Sequence, residues 1–496
     1  MITKLPSKII KFWLKPSFII FIVIMVIMVI FFSIRIYKSQ GGPRLELWHT
    51  FVPHEMNDKA IDATDWAGYL AAENQLFDEV KTNVTQQLES EQKTPLNRYY
   101  EGSLIYPEHF ENNWNHSYIL QPEGNSKGAV VLLHGLTDTP YSLRHVADLY
   151  RQRGFVVIAI RMPAHGTVPS ALSKVHWRDW MAATRLAVRE AKRLTTPEAP
   201  LHLVGFSNGG ALAMKYTLDT LDDPNLAKPQ QVILISPMIG VTSFARFAGI
   251  AGLPAIFPPF ANAAWLSVTP EFNPFKYNSF PVNGARQSYL LTSVLQQQIY
   301  QGAQDKKLAA LPPILTFQSV VDFTVSTSAI ITALYNLLPS NGSELVLFDI
   351  NRNTKIEQLF RPSTITAIDH LLPRPPRPYQ ATMISNAADN EKSVVARSIN
   401  AGARNETVAP LGLDYPPEIF SLSHVALPFP VTDPLYGSQP QNPTQYGINL
   451  GDMAVRGERS VLIVDLDTLL RVSSNPFFPY MLQRIDADIP KSPSEK

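Results

Sequence analysis

The stretch 201–210 constrains the fold more than any other part of the sequence. It begins as the apolar run Leu201-His202-Leu203-Val204 and ends in the small-residue turn Gly205-Phe206-Ser207-Asn208-Gly209-Gly210, after which residues 211–216 favour a helix. A strand, a sharp turn with a serine at its tip and a helix form the context that gives the pattern Gly-x-Ser-x-Gly its meaning. The flanking glycines are expected, because strand and helix pass too close there for side chains.

Taken alone, this pentapeptide is a weak signal, since a glycine-rich turn between a strand and a helix would explain it equally well. Other residues of the chain must distinguish a reactive serine from an ordinary glycine-rich turn. A reactive serine needs amide donors from a loop upstream, and it needs an acid and a histidine that a fold of this kind places downstream.

Apolar runs alternate with helical patterns on both sides of the turn. The runs typical of strands buried on both faces are 128–133, 155–160, 231–236, 313–322 and 344–349. Helical patterns separate the early runs at 141–154 and 177–194. This alternation predicts a mostly parallel, doubly wound sheet with helices on both faces.

Two carboxylates and two histidines are candidates to activate Ser207. A serine hydroxyl needs a base within hydrogen-bond reach, and that base needs a carboxylate to orient it. Asp322 ends a predicted strand and is the preferred acid, although it could also cap the following helix; Asp349, at the end of the next strand, is the alternative. Downstream of both acids only His370 and His424 remain, and His424 is preferred because its mostly uncharged surroundings suit a base carried on a loop.

Two backbone amides are candidates for an oxyanion hole. Negative charge that develops on a carbonyl oxygen needs N–H donors aimed at it. The N–H of Asn208 directly follows the serine, and the N–H of Leu136 follows His134-Gly135 at the end of an earlier strand. Both are therefore predicted donors.

Together these residues resemble the α/β-hydrolase superfamily, most closely its group of monoacylglycerol lipases, lysophospholipases and bacterial carboxylesterases. The resemblance rests on His134-Gly135-Leu136, Pro163-Ala164-His165-Gly166-Thr167, Gly205-Phe206-Ser207-Asn208-Gly209-Gly210, Asp322 and His424. It implies Ser207 as nucleophile, Asp322 as acid and His424 as base, with the amides of Leu136 and Asn208 as the oxyanion hole. Ala164 departs from the family, which has glycine there, and methionine or glutamine is commoner where Asn208 stands.

Residues 238–310 are predicted to form a helical cap over the turn. They contain no clear buried strand and are rich in aromatic residues. An insertion after the strand 231–236 would overhang Ser207. The aromatic side chains Phe244, Phe247 and Trp265 are therefore predicted to contact substrate, with simple core packing as the alternative explanation.

Residues 18–34 are predicted to form a transmembrane helix. They are apolar except for Ser33, and at ~1.5 Å per residue they would reach about 26 Å. A cleaved signal peptide is disfavoured, because residues 35–38 lack a pair of small residues. The prediction is a single-pass anchor with the catalytic domain exported to the periplasmic or extracellular side.

The sequence thus divides into seven predicted parts. These are an N-terminal membrane anchor (1–40), a helical linker or packing segment (41–116), the first part of the core (117–237), a cap or lid insertion (238–310), the second part of the core (311–350), a proline-rich insertion (351–417), and a completion of the core with the histidine and a closing helix (418–496).

The sequence predicts an esterase of lipid-like substrates. The net charge of +1 gives no reason to expect nucleic acid as a partner, and the absence of cysteine excludes thiol nucleophiles and cysteine–zinc sites. We expect a serine hydrolase that cleaves small carboxylic esters of the acylglycerol type through an acyl-serine intermediate, with no cofactor and no metal. The alternatives are an amidase or aminopeptidase with the same triad, and a hydrolase fold that binds without catalysis.

Overall fold

The computed structural model describes residues 18–30, 33–34, 43–240, 258–352, 360–388, 390–453, 471 and 474–490. Its strands are β1 (Tyr118–Leu120), β2 (Gly128–Leu133), β3 (Phe155–Ile160), β4 (Leu201–Phe206), β5 (Gln231–Ile235), β6 (Trp265–Ser267), β7 (Phe280–Pro281), β8 (Ile314–Ser319), β9 (Glu344–Phe348), β10 (Gln380–Asn386), β11 (Ser393–Ile399) and β12 (Thr407–Asp414). From residue 43 onward the α-helices are α1 (Leu47–Thr50), α2 (Asp58–Ala63), α3 (Trp66–Asn83), α4 (Arg144–Gln152), α5 (Trp177–Arg193), α6 (Asn208–Asp219), α7 (Val282–Gln304), α8 (Thr327–Ala333), α9 (Pro362–Asp369) and α10 (Phe478–Asp488).

One ten-stranded sheet forms the centre of the fold, in the order β1-β3-β2-β4-β5-β8-β9-β10-β11-β12. The strands from β3 to β10 pair in parallel, whereas β1, β11 and β12 are antiparallel at the two edges. The predicted mostly parallel sheet is therefore confirmed. The carboxyl ends of β2, β4 and β8 lie at the same edge of the sheet, which is where binding sites form in such folds.

Helices cover both faces of the sheet, because successive side chains of each buried strand point to opposite sides. Val131 and Leu203 pack in the core cluster that includes residues of α5, α6 and α7. Their neighbours Val130 and Val204 pack in the second cluster, which includes residues of α4 and α10. Two apolar layers thus hold β4, and with it the turn at Ser207, rigidly in place.

The insertion predicted at 351–417 extends the sheet. Within it β10 and β11 form an antiparallel hairpin, and β12 follows as a third strand. The helix α8 begins only after Ser326, whose side chain caps it by accepting a hydrogen bond from the Ala329 N–H. Asp322 is therefore not the residue that caps this helix.

The N-terminal segment docks on the core through a buried charge network. Glu73, on α3, accepts hydrogen bonds from the N–H and hydroxyl of Ser117 and from Nε of Arg161 at 3.0 Å. The Arg161 guanidinium also contacts Glu55 at 2.8 Å. Arg161 directly follows β3 and is fully buried, so both carboxylates of the N-terminal segment compensate a charge that belongs to the core.

We expect Glu73→Gln to lower the free energy of unfolding by about 3 kcal/mol, since it removes the carboxylate of a buried ion pair and leaves the Arg161 charge in place. Burial alone would raise the pKa of Glu73, but the hydrogen bond from His116 and the charge of Arg161 hold it below its ordinary value. This stabilisation is present above the pKa of the unfolded carboxylate and is lost as pH falls through the folded pKa, so the difference should shrink below about pH 4.

Urea denaturation of wild type, Glu73→Gln and the exposed control Glu198→Gln measures this effect. The control should unfold like the wild type. Equal unfolding of all three proteins at neutral pH would show that the network does not stabilise the docking of the N-terminal segment.

The predicted membrane anchor is wrong. Across the described parts of the chain, no helix combines the length and apolarity needed to cross a membrane. The predicted export of the catalytic domain rested on that anchor and is withdrawn with it. The rest of the N-terminal prediction, at 1–17, 31–32 and 35–40, lies outside the described residues.

Candidate active site

Ser207 occupies a strained turn between β4 and α6. Its φ and ψ of 55° and −116° are unusual for a residue with a side chain, and its N–H donates to the Ile235 carbonyl at 3.0 Å. A Cβ on Gly209 would lie 1.9 Å from the Leu133 carbonyl oxygen, so only glycine fits where the helix crosses the neighbouring strand. The backbone therefore fixes the serine at the end of β4.

His424 and Asp322 form a buried pair. The Asp322 carboxylate lies just beyond β8, and its Oδ2 is 2.8 Å from Nδ1 of His424. Its other oxygen accepts hydrogen bonds from the N–H groups of Thr324 and Val325. Burial would raise the pKa of Asp322, but the charge and hydrogen bond of His424 and the two N–H groups hold it below its ordinary value. The acid is thus ionised at neutral pH.

One cavity of about 540 Å³ brings the serine and the histidine together. Ser207 and His424 both line it, and the ring of Phe206 stacks on the His424 ring with centroids 5.3 Å apart. The Ser207 hydroxyl and the His424 ring are not hydrogen-bonded in this structure. Such bonds often form only when substrate is bound, so the arrangement still allows proton transfer between these groups.

The two predicted amide donors lie beside Ser207 and have no hydrogen-bond acceptor among the described residues. Leu136 lines the cavity, and a Cβ on the preceding Gly135 would lie 3.2 Å from Cβ of Ser207. Within the described residues, no hydrogen bond engages the N–H of Leu136 or of Asn208. Both donors are therefore free for a developing oxyanion.

His134 orders the loop that carries Leu136. Its Nε2 lies 2.9 Å from the Met162 N–H and its Nδ1 2.9 Å from the Gly135 carbonyl. Burial lowers the pKa of His134 well below its ordinary value, so the ring is neutral. A neutral ring with its proton on Nδ1 satisfies both contacts at once, which fixes the loop beside Ser207.

The alternative acid and base lie elsewhere. Asp349 is buried, and its carboxylate binds the Arg352 guanidinium at 2.8 Å rather than a histidine. His370 is exposed where α9 ends. Of these four candidates only His424 lines the cavity that contains Ser207, and Asp322 is the carboxylate bonded to it.

The aromatic residues predicted to contact substrate are not those that line the cavity. Phe244 and Phe247 lie outside the described residues. Trp265 is buried on β6, packs edge-on against His49 at 4.9 Å, and is not among the cavity-lining residues. For Trp265 the core-packing alternative is the one that the geometry favours.

Three residues that the sequence analysis missed contact the site. Nε2 of Gln318, on β8, donates to Oδ2 of Asp322 at 3.1 Å. The hydroxyl of Ser288, on α7, donates to the Asn208 side chain at 2.6 Å and joins the predicted cap to the turn. Lys276 lines the cavity. A polar residue inside the apolar run of β8 was a usable signal for Gln318, whereas nothing local marked the other two.

A parallel sheet with a serine turn, a His–Asp pair and two free amides at one edge defines the architecture of an α/β-hydrolase. Residues 124–349 match the family described as "Serine aminopeptidase, S33". The chain is also 30% identical over 90 residues to a thermostable monoacylglycerol lipase from Bacillus sp. (strain H-257), a match that covers 18% of this chain and 35% of the relative. The predicted α/β-hydrolase fold with a mostly parallel sheet is thereby confirmed, and the predicted resemblance to the monoacylglycerol lipase group is supported over the matched residues.

The chain is also similar to solved structures at low sequence identity. Est1E from Butyrivibrio proteoclasticus, with ferulic acid bound, is 17% identical, with 52% of this chain and 92% of that chain covered and a TM-score of 0.35. A soluble variant of monoglyceride lipase from Saccharomyces cerevisiae is 14% identical, with 51% and 90% covered and a TM-score of 0.36.

Proposed function

We propose that this protein is a serine hydrolase that cleaves carboxylic esters of the acylglycerol type. The observation that carries the proposal is one cavity lined by Ser207, His424 and Leu136, with Asp322 bonded to His424 and the free amide of Asn208 directly after the serine. The similarity to a protein named monoacylglycerol lipase supports the ester class.

In the proposed reaction, Ser207 attacks the ester carbonyl while His424 accepts the hydroxyl proton. Asp322 holds the ring with its proton on Nδ1 and stabilises the imidazolium that forms. The N–H groups of Leu136 and Asn208 donate to the oxyanion, and a single donor of this kind contributes about 3 kcal/mol to the transition state. His424 then gives the proton to the leaving alcohol. Water next attacks the acyl-serine while His424 accepts a proton from it, and His424 returns that proton to Ser207 as the carboxylic acid is released.

The walls of the cavity suit an acyl chain. Several lining residues are apolar, and they come from the loop after β2, the end of β4, the segment after β5, the predicted cap and the region after His424: Leu136, Phe206, Met238, Phe272, Phe280, Ala285, Val425, Phe429 and Leu450. Burial of each CH₂ group contributes about 0.8 kcal/mol. We therefore propose that part of 238–310 acts as a cap that selects apolar acyl groups.

An aminopeptidase is the second candidate, because the matching family is described by that activity. Such an enzyme would have to bind a free ammonium group, which carboxylates recognise. Lys276 and Arg471 line the cavity beside a single described carboxylate, that of Asp138. This excess of positive charge would repel an ammonium group, so the charge of the cavity favours the ester.

A panel of para-nitrophenyl esters of increasing chain length, beside aminoacyl anilides, tests the choice between ester and aminopeptidase substrates. Turnover of anilides without turnover of esters would overturn the proposal, and turnover of neither would favour a binding protein.

We expect Asp322→Asn to lower kcat by about 10⁴-fold, because asparagine neither stabilises the imidazolium nor favours the required tautomer. The control is Asp349→Asn, which removes a buried carboxylate outside the cavity and should leave kcat of the folded enzyme unchanged. Steady-state kinetics with a para-nitrophenyl ester gives both values. A larger loss in Asp349→Asn would identify Asp349 as the acid instead.

A further inference from the structure

Two cations line the cavity that contains Ser207. Lys276 is half-buried and Arg471 is exposed at the rim. In the part of the chain that the structure describes, no salt bridge joins either side chain to a carboxylate. Ordinary surface cations are solvated, but a cation inside a partly enclosed cavity lacks much of that solvation and favours an anionic neighbour.

Among the described residues that line the cavity, the cations outnumber the carboxylates. The described carboxylate in the cavity wall is Asp138, and burial raises its pKa to about 6. Burial also lowers the pKa of Lys276, with the charge of Asp138 opposing this effect and the charge of Arg471 adding to it. Two cations and one described carboxylate therefore line the same cavity. An anionic group bound there would balance the excess positive charge.

The position of Arg471 indicates which half of a substrate this group belongs to. Its guanidinium donates to the Thr324 hydroxyl at 2.6 Å, and its carbonyl accepts from the Ser423 hydroxyl at 2.5 Å. These partners lie two residues beyond the acid Asp322 and directly before His424. Arg471 is thus on the histidine side of the site, and the histidine is the group that protonates the leaving alcohol.

We propose that the cavity binds an anionic group, a phosphate or a carboxylate, carried by the alcohol half of the ester, with Lys276 and Arg471 as its partners. This inference rests on the proposed esterase function for the assignment to the alcohol half. It makes the preferred substrate an acyl ester of an acidic alcohol rather than a neutral monoacylglycerol. Apolar walls would hold the acyl chain while the two cations hold the other end.

Binding to the Ser207→Ala protein tests the subsite without catalysis. The probes are the octanoyl esters of para-hydroxybenzoate and para-hydroxybenzamide, which share size and acyl chain but differ in one charge. We expect calorimetry to show about tenfold tighter binding of the benzoate ester, since a charge-assisted contact is about twice as strong as a neutral one. Lys276→Met in the same background should remove most of this preference, and Arg471→Met should reduce it.

The matched control is Lys307→Met, because Lys307 is an exposed lysine that pairs with Asp222 away from the cavity. It should keep the preference in full. Equal binding of the two esters, or a preference that survives both the Lys276 and Arg471 substitutions, would overturn the inference. Failure of the wild type to hydrolyse either ester, with the binding preference intact, would instead count against the esterase function alone.

The same proteins distinguish the two sources of negative charge. Glycerol phosphate and para-hydroxybenzoate are added as competitive inhibitors of wild-type hydrolysis of the neutral ester. Stronger inhibition by glycerol phosphate would assign the subsite to a phosphate, and stronger inhibition by para-hydroxybenzoate to a carboxylate. Inhibition by neither, at concentrations that saturate ordinary anion sites, would contradict the subsite.

Discussion

The Ser207→Ala variant is expected to lose about 10⁶-fold in kcat for ester hydrolysis while remaining folded. Loss of the hydroxyl removes the atom proposed to form the acyl intermediate, and the residual rate would come from the oxyanion donors and binding alone. Stability should change little, because the backbone strain at φ 55° is already present with serine, and alanine carries the same Cβ.

Steady-state kinetics with a para-nitrophenyl ester measures kcat, and a denaturation curve measures stability. Ser293→Ala is the matched control, since Ser293 lies on α7 with its hydroxyl bonded to the Tyr289 carbonyl, and it is not among the residues lining the cavity. Its activity should equal that of the wild type. If Ser207→Ala retained more than about a hundredth of wild-type kcat, Ser207 would not be the nucleophile.

Replacement of His424 by glutamine should lower kcat by about 10⁵-fold, close to the effect of removing the serine, because the two groups act as a unit. Without a base, the serine stays protonated at neutral pH. The variant should also be less stable, since Asp322 remains buried without its partner ring. Kinetics should therefore be normalised to folded protein, measured by circular dichroism.

His370→Gln is the control for this experiment. His370 is exposed at the end of α9, so its replacement should leave both activity and stability unchanged. The reverse outcome, with full activity in His424→Gln and a large loss in His370→Gln, would show that the base had been assigned to the wrong histidine.

The parts of the fold that the sequence predicted correctly depend on local patterns. The parallel strands around β4 have continuous apolar runs, and the turn at Ser207 is marked by glycines that only a close crossing requires. The geometry at Asp322 and His424 agrees with the predicted pair, because in this fold the ends of neighbouring parallel strands meet at one edge. Each inference needed only a few adjacent residues and the order of the chain.

The parts that could not be predicted depend on contacts between distant segments. Lys276 reads as an ordinary surface lysine until the fold places it in the same cavity as Arg471. Trp265 read as a substrate contact, but it packs against His49, more than two hundred residues earlier in the chain. The anchor prediction is corrected on a different ground, since no helix in the described parts of the chain is long and apolar enough to cross a membrane.

The most direct test of the account is to label the intact protein with a fluorophosphonate and locate the adduct by mass spectrometry of its peptides. A serine activated by His424 and held beside two free amides should react, and we predict one adduct per chain, on Ser207. Labelling should disappear in His424→Gln and persist in His370→Gln. An unlabelled Ser207 in a folded protein that still hydrolyses esters would contradict the central claim.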